Sequence, residues 1–413
     1  MVKEYERLSH GSNTSVSPYR WVMLFLAWLI YFSFGMIGIS MSPLLTLIIQ
    51  DLNLTYSQAG AIMGAWQLTY IGAALMGGLL TDRVGTRISL ALGATIISIS
   101  AALRGFATSF ETMFIAVAIF GIGGPIISIG LPKLVASWFL GKERGTAMGI
   151  CITGSRAGNS FSLAIANSVL LPFAGTWRNT LRLYAVFGFM ILIIWVLAGR
   201  KPSDAGNQKP SLSQSRSSVL NVMPKLLKHR NIWVAVIVGI SFFLITHGLR
   251  SWLPKILESE GISPVDAGFV ASLFTLFNIS GNLIIPRLSY HVGSRKHLII
   301  LTLLLGGVST FMIGTTLGIP FWVGLITYGL TYAGFHSLMM VFLMELPEVG
   351  SNYMGSVTGI YFTFGEMGGF AGPFLLGYLR DLTGSFFAGV VMISVITETM
   401  VPLAFLIRER PAK

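Results

Sequence analysis

Twelve apolar stretches of about twenty residues or more follow one another along the chain, over about 21–49, 57–80, 88–107, 112–138, 147–171, 183–199, 232–257, 266–288, 297–317, 321–345, 353–377 and 386–407. A bilayer core of roughly 30 Å takes about twenty residues of helix, and within it only helices or closed barrels satisfy every backbone N–H and C=O. Runs of this length predict an all-α membrane protein with twelve transmembrane helices. Composition agrees, since 53% of residues are hydrophobic and only 11% charged, where a soluble chain carries about a quarter charged residues. The first run is expected to remain as a helix, because it is too long for a signal peptide and eleven more follow.

Most connections are short, but residues 200–230 form a Ser-rich basic stretch after the sixth run. It divides the chain into an N-terminal six-helix bundle at 1–199, a cytoplasmic basic linker at 200–230 and a C-terminal six-helix bundle at 231–413. Twenty of the 28 Lys and Arg residues fall on the side of the termini and linker, while Arg178, Arg182, Lys255 and Arg380 fall on the other. Excess basic charge marks the cytoplasmic face, so both termini are expected in the cytoplasm and the chain in the inner membrane. The net charge of +12 then enforces topology and is not a nucleic-acid-binding face. The single cysteine, Cys151, lies in an apolar run, which leaves no internal disulfide and no Cys/His metal site. No cofactor and no metal are expected. Loops this short offer no catalytic cluster near water, and the longest is too small for a sensor domain, so neither an enzyme nor a receptor is expected.

The halves are copies. A shift of 208 residues lays Leu79–Arg87 (LLTDRVGTR) over Arg287–Arg295 (RLSYHVGSR), and in the same register Gly121 meets Gly329. After a two-residue adjustment Gly149 and Thr153 meet Gly359 and Thr363. Matches at equivalent places in equivalent spans point to duplication. Duplicated six-span halves are a transporter plan, with substrate held near the membrane midplane between them.

The stretch GLLTDRVGTR from Gly78 to Arg87, after the second run, resembles the cytoplasmic loop motif of the major facilitator superfamily. Gly141-Lys-Glu-Arg144-Gly145, after the fourth, resembles its usual companion. The resemblance covers the whole chain and implies two pseudo-symmetric bundles, alternating access and a monomer in the lipid bilayer. It makes Asp82, Arg83, Arg87 and Arg144 a cytoplasmic gate, with Asp82 facing the start of span eleven, where a helix amino terminus favours a carboxylate. The second copy of the loop carries Tyr290 and His291 in place of the acidic and basic residues, so the gate would be asymmetric. Leu249-Arg-Ser-Trp-Leu-Pro254 looks like a segment of organic-anion and cyanate-type uptake carriers. Exporters of the superfamily carry a glycine-proline pattern on span five; here such a pattern, Gly368 to Gly377 with Pro373, lies on span eleven.

Ionisable groups at bilayer depth are costly unless paired or hydrated. Lys133 and Arg104 stand near span ends and are expected to snorkel outward, Arg104 on a span that the resemblance turns toward lipid. Arg156, Arg250 and Glu366 are too deep for that. Arg156 and Glu366 occupy equivalent repeat positions, 210 apart; they form either a structural ion pair or groups facing a central cavity. Two arginines against one glutamate leave a net positive charge that an anion would complete, and the planar guanidinium fork suits a carboxylate. The reading is a secondary transporter of a small organic anion, with Arg250, Arg156, Tyr31, His247, Tyr328, Tyr332, Asn278 and Tyr361 as substrate residues. Protons are a plausible second partner, coupled through Glu366 or His336, though a lone histidine also serves as a packing residue. A carrier of zwitterions such as amino acids or short peptides would use the same charges; a drug/proton antiporter is the third alternative.

Overall fold

The structure, a computed structural model, describes residues 18–139, 141–200, 229–315, 317–346 and 349–408 of the 413. The basic linker, apart from its edges, lies outside the described residues. All regular structure among them is helical. In the first half run α1 (Tyr19–Ile39), α2 (Leu45–Asp51), α3 (Tyr56–Val84), α4 (Thr86–Arg104), α5 (Phe110–Trp138), α6 (Gly141–Ile165), α7 (Leu171–Ala174) and α8 (Trp177–Ala198). In the second run α9 (Arg230–Ser259), α10 (Pro264–Val292), α11 (Arg295–Gly314), α12 (Ile319–Thr327), α13 (Ala333–Glu345), α14 (Gly350–Thr383) and α15 (Phe387–Phe405). One π turn, Ala166–Leu170, joins α6 to α7, and another, Tyr328–Tyr332, joins α12 to α13.

Local sequence sets the boundaries. Helix α3 opens on a capping box in which Thr55 Oγ1 accepts from Gln58 N–H and the Gln58 side chain accepts from Thr55 N–H. Ser109 and Thr112 do the same for α5, and Ser263 caps α10 with Pro264 in its first turn. Helices α10 and α14 stop at Gly293 and Gly384, both left-handed at φ 70° and 75°, a backbone that glycine adopts without steric cost.

Nine described helices are long and apolar enough to cross a membrane, or ten with α3, which bends by 55° between Ala74 and Met76. The expected count of twelve apolar spans is therefore not met on this measure. Helices α6 and α14 fall short because glycine, serine and charged residues dilute their apolar content. The same small residues are what let them pack. A Cβ on Gly158 would stand 2.0 Å from Phe32 O, and one on Gly372 2.0 Å from Leu244 O, so α6 touches α1, and α14 touches α9, backbone to backbone. Between lipid-embedded helices such close packing replaces the hydrophobic effect as the source of adhesion.

Two cores result. One gathers Met23, Ile30, Leu90, Phe120, Leu181 and Trp195; the other gathers Phe242, Trp252, Leu303, Phe335 and Ile393. The second also takes in Ile39, Leu45, Ala59, Met63 and Leu163 from the first half. Every described hydrogen bond between the halves lies from mid-helix to the end away from the chain termini. At that end the Asp381 carboxylate accepts from Tyr56 N–H at 2.9 Å, Ser57 N–H at 2.7 Å and the Ser57 hydroxyl. Ser42 Oγ donates to Ser251 O at 2.6 Å, Asn167 Nδ2 donates to Pro264 O at 3.1 Å, and Thr46 bonds both Glu258 and Lys255. At the termini end the described ion pairs stay within one half, as in Arg20–Glu143 and Arg295–Glu345. Among the described residues, hydrogen bonds thus join the halves at one end and none joins them at the other.

Of the two cations expected to snorkel, Lys133 keeps its head partly exposed at the termini end and Arg104 turns inward. Lys133 Nζ lies 2.6 Å from Asp82 Oδ1. Arg104 is 1% exposed and donates to Ile37 O at 2.8 Å and to Ser100 Oγ at 3.2 Å. The carbonyl at the end of α1 and the hydroxyl one turn back on α4 satisfy the guanidinium inside the protein, so it turns inward, not toward lipid.

Candidate substrate site

Where the joined and unlinked portions meet, α9 and α14 face α3 and α6. Arg250 of α9 donates from Nη2 to Asn159 Oδ1 of α6 at 2.9 Å, a bond that crosses between halves. One turn earlier, the His247 ring stacks on Phe243 at 5.9 Å and meets the edge of Trp66 at 5.5 Å. His247 Nε2 lies 3.7 Å from Glu366 Oε2 of α14. Glu366 is 4% exposed, and its Oε2 has no hydrogen-bond partner. Gly369, one turn on, makes room: a Cβ there would come within 2.7 Å of Glu366 Oε2 and 3.1 Å of His247 Cδ2. Gln67 Nε2 closes the group by donating to Gly369 O at 3.3 Å.

Arg156, one turn from Asn159 toward the termini end, is partly exposed and within electrostatic reach of Arg250 and of Tyr31. No carboxylate stands within ion-pair distance of Arg156, Arg250 or Arg104 among the described residues. The repeat-related pair Arg156 and Glu366 is thus not an ion pair in this conformation; the titratable group beside Glu366 is His247, at 3.7 Å and without a hydrogen bond.

Other residues singled out in the sequence stand apart from this group. Tyr328, Tyr332 and Tyr361 are 1%, 0% and 0% exposed in the second core. Tyr328 meets Thr246 Oγ1 at 3.3 Å. Asn278 Nδ2 donates to Phe274 O of its own helix at 2.8 Å. His336 is enclosed by Phe242 at 5.7 Å and Phe362 at 5.4 Å, with Nδ1 unpartnered. Phe242 and Phe243 pack between these rings and the group around Arg250. Asn159 and Gly369 belong to this group without having been singled out in the sequence. Asn159 offered one signal: it lies three residues from Arg156, hence on the same helix face.

In the loop cluster, Asp82 is bound by Lys133, so its bond in this conformation goes to its own half. Arg87 Nη2 donates to Val196 O at 3.0 Å, and Arg144 donates to Ala136 O at 2.8 Å and Phe139 O at 3.2 Å. Both cations bond free carbonyls at helix carboxyl ends, where positive charge is favourable. Arg83 is exposed.

The sequence pattern of the Major Facilitator Superfamily matches residues 23–373. A hexuronate transporter of Bacillus subtilis is 22% identical over 352 residues, covering 81% of this chain and 82% of its own. The cyanate transport protein of Escherichia coli K12 is 24% identical over 391 residues, covering 90% and 96%. Among solved structures, a bacterial homologue of the human lysosomal transporter Spinster, in an inward-facing and unoccupied conformation, superposes with a TM-score of 0.78 at 17% identity, over 96% of this chain and 97% of that one. A helix-only membrane architecture, a loop motif between the second and third long helices and a pattern match across most of the sequence agree: this chain is a multi-pass membrane protein belonging to the major facilitator superfamily.

Proposed function

We propose that the protein is a secondary transporter of a small organic anion, probed in this conformation with its path open at the cytoplasmic termini end. Two halves of six spans, 1–199 and 231–413, would rock about the site that Arg250 and Asn159 bridge. One observation carries the reading: guanidinium groups reach the interior between the halves, and among the described residues no carboxylate stands at ion-pair distance from them, so a bound anion completes the charge. Arg250 and Arg156 would take the anionic group, with Tyr31 beside them. The two relatives named above are described as carriers of a hexuronate and of cyanate, both anions, which supports the same class. A zwitterion would use the Glu366 carboxylate, whose Oε2 has no hydrogen-bond partner, for its ammonium, so the two readings differ in the substrates exchanged. Substrate counterflow in liposomes tests the proposal: exchange of sugar acids or other small carboxylates is the expected result, and exchange confined to amino acids, peptides or cationic drugs would reject it.

Glu366 is the proposed coupling residue, with His247 as its proton-sharing partner. Glu366→Gln fixes the neutral form and is expected to keep substrate exchange while abolishing accumulation driven by a pH gradient. Continued gradient-driven accumulation would move the role to His336.

Asp82 is proposed to exchange Lys133 for the start of α14 when the termini end closes. Both members of the pair are about half exposed, at 50% and 37%, so the bond itself contributes no more than about 1 kcal/mol. Lys133→Met should therefore leave thermal stability nearly unchanged yet favour closure at that end by releasing Asp82. Cysteine labelling of the termini-side vestibule checks it; unchanged labelling would reduce the cluster to a topology signal.

A further inference from the structure

We infer that a cavity between Arg104 and Arg250 is a binding subsite for a compact monoanionic group, a carboxylate or a halide, at the joined end of the path. Arg104 of α4 and Arg250 of α9 line the same cavity, with Trp66, His247 and Ser42 among its other walls. Its walls therefore come from both halves, and no carboxylate is among them.

Arg104 is satisfied but not neutralised. Its oxygens are a backbone carbonyl and two hydroxyls, Ile37 O at 2.8 Å, Ser40 Oγ at 3.4 Å and Ser100 Oγ at 3.2 Å. Phe120 lies under the guanidinium at 5.3 Å. Nε has no partner although the side chain is almost wholly buried. Arg250 gives one hydrogen bond, to Asn159. Trp66 also lines the space, and its indole N–H makes no hydrogen bond among the described residues. Two cations facing one space of low dielectric, neither with a carboxylate at ion-pair distance among the described residues, set up a positive potential there, and a small anion is what relieves it.

The space decides the size of the occupant. It holds about one or two water-sized groups, the scale of a halide or the carboxylate end of a longer molecule. A whole sugar acid does not fit. An anion held between α4 and α9 would also link the two halves, so occupancy favours the conformation in which this end is joined. The inference goes beyond the proposed transport activity, because it assigns Arg104, which the proposed path does not use.

The test uses the purified full-length protein, with bromide and formate as probes at constant ionic strength made up with a morpholinoethanesulfonate anion too bulky for the cavity. A saturable rise in Tm is expected with each probe, and at least tenfold weaker half-saturation in Arg104→Gln. Gly38→Ala keeps both guanidiniums but adds a methyl 3.7 Å from Arg250 Nη2 and 3.3 Å from the Phe120 ring; it should also weaken the response. Anomalous scattering from bromide in wild-type crystals, expected between Arg104 and Arg250, depends on no variant. Absence of saturation in the wild type, or an equal response in a folded Arg104→Gln, would overturn the subsite. Competition by formate and bromide against organic-anion exchange would identify the occupant as the substrate's own carboxylate; saturable binding without competition would identify a free inorganic anion. Arg104-dependent bromide binding in a protein that exchanges no organic anion would refute the transport reading and leave the subsite in place.

Discussion

Arg250→Lys is expected to weaken binding of a carboxylate substrate by about 1–3 kcal/mol, roughly tenfold to a hundredfold in Kd, although the charge is unchanged. The guanidinium has donors in a planar fork. One of them is used by Asn159 Oδ1, and the others remain for two parallel bonds to a carboxylate. An ammonium is a point charge that cannot serve both. Arg250→Ala should lose more, since it leaves the bound anion facing a desolvated wall. Asn159→Ala should lose less, because it removes only the group that orients the fork. Titration of purified protein with the exchanged carboxylate measures all three. Wild-type affinity in both Arg250 variants would exclude Arg250 from the site.

Asp381→Ala is expected to open the end of the molecule away from the termini. One carboxylate there accepts from two backbone N–H groups and a hydroxyl at the start of α3, an anion placed where a helix dipole and its unpaired donors both favour it. Those bonds run from the second half to the first, so they exist only while the halves are joined at this end. Charge-assisted bonds of this kind, discounted for exposure, amount to about 1–2 kcal/mol, or roughly a 5- to 30-fold shift in the ratio of the two conformations. A cysteine placed at Ser251, which lines the cavity behind this contact, should become reactive from the far side. The native Cys151 is fully buried and gives little background. Unchanged reactivity in Asp381→Ala would mean that the surrounding contacts, Asn167 with Pro264 O and Ser42 with Ser251 O, hold this end alone.

Asp381 also shows the same physical idea realised at a second residue. A carboxylate from one half capping a helix of the other was expected at Asp82, because the loop motif draws attention to it. In this conformation the cross-half cap is made at the opposite end by Asp381, while Asp82 bonds Lys133. Each aspartate lies in the last turn of a long helix and beside an arginine, Arg83 or Arg380, so position alone does not say which one caps a helix of the other half. Which of them reaches across depends on which end is joined.

Membrane residence and helical architecture were legible in the chain, because apolar run length is a property of residue order. So was the presence of deep charges, since a bilayer tolerates few and each must have a use. The pairing of those charges was not. Helical periodicity fixes which residues share a face, but the rotation and tilt of a helix follow from how its small residues seat against neighbours, as Gly158 does on Phe32 and Gly372 on Leu244. That seating turned Arg104 inward onto the end of α1, where carbonyl and hydroxyl oxygens were available, and brought Glu366 to His247 instead of Arg156. It also placed the tyrosines of α12–α13 and α14 in the second core, since an aromatic at helical spacing carries the same signature whether it packs or lines a path. The sequence by itself determined the solvent, the helices and the inventory of buried charge. The tertiary structure decided which charges meet and which end of the path is joined, because both are set by contacts between halves that lie some two hundred residues apart in the chain.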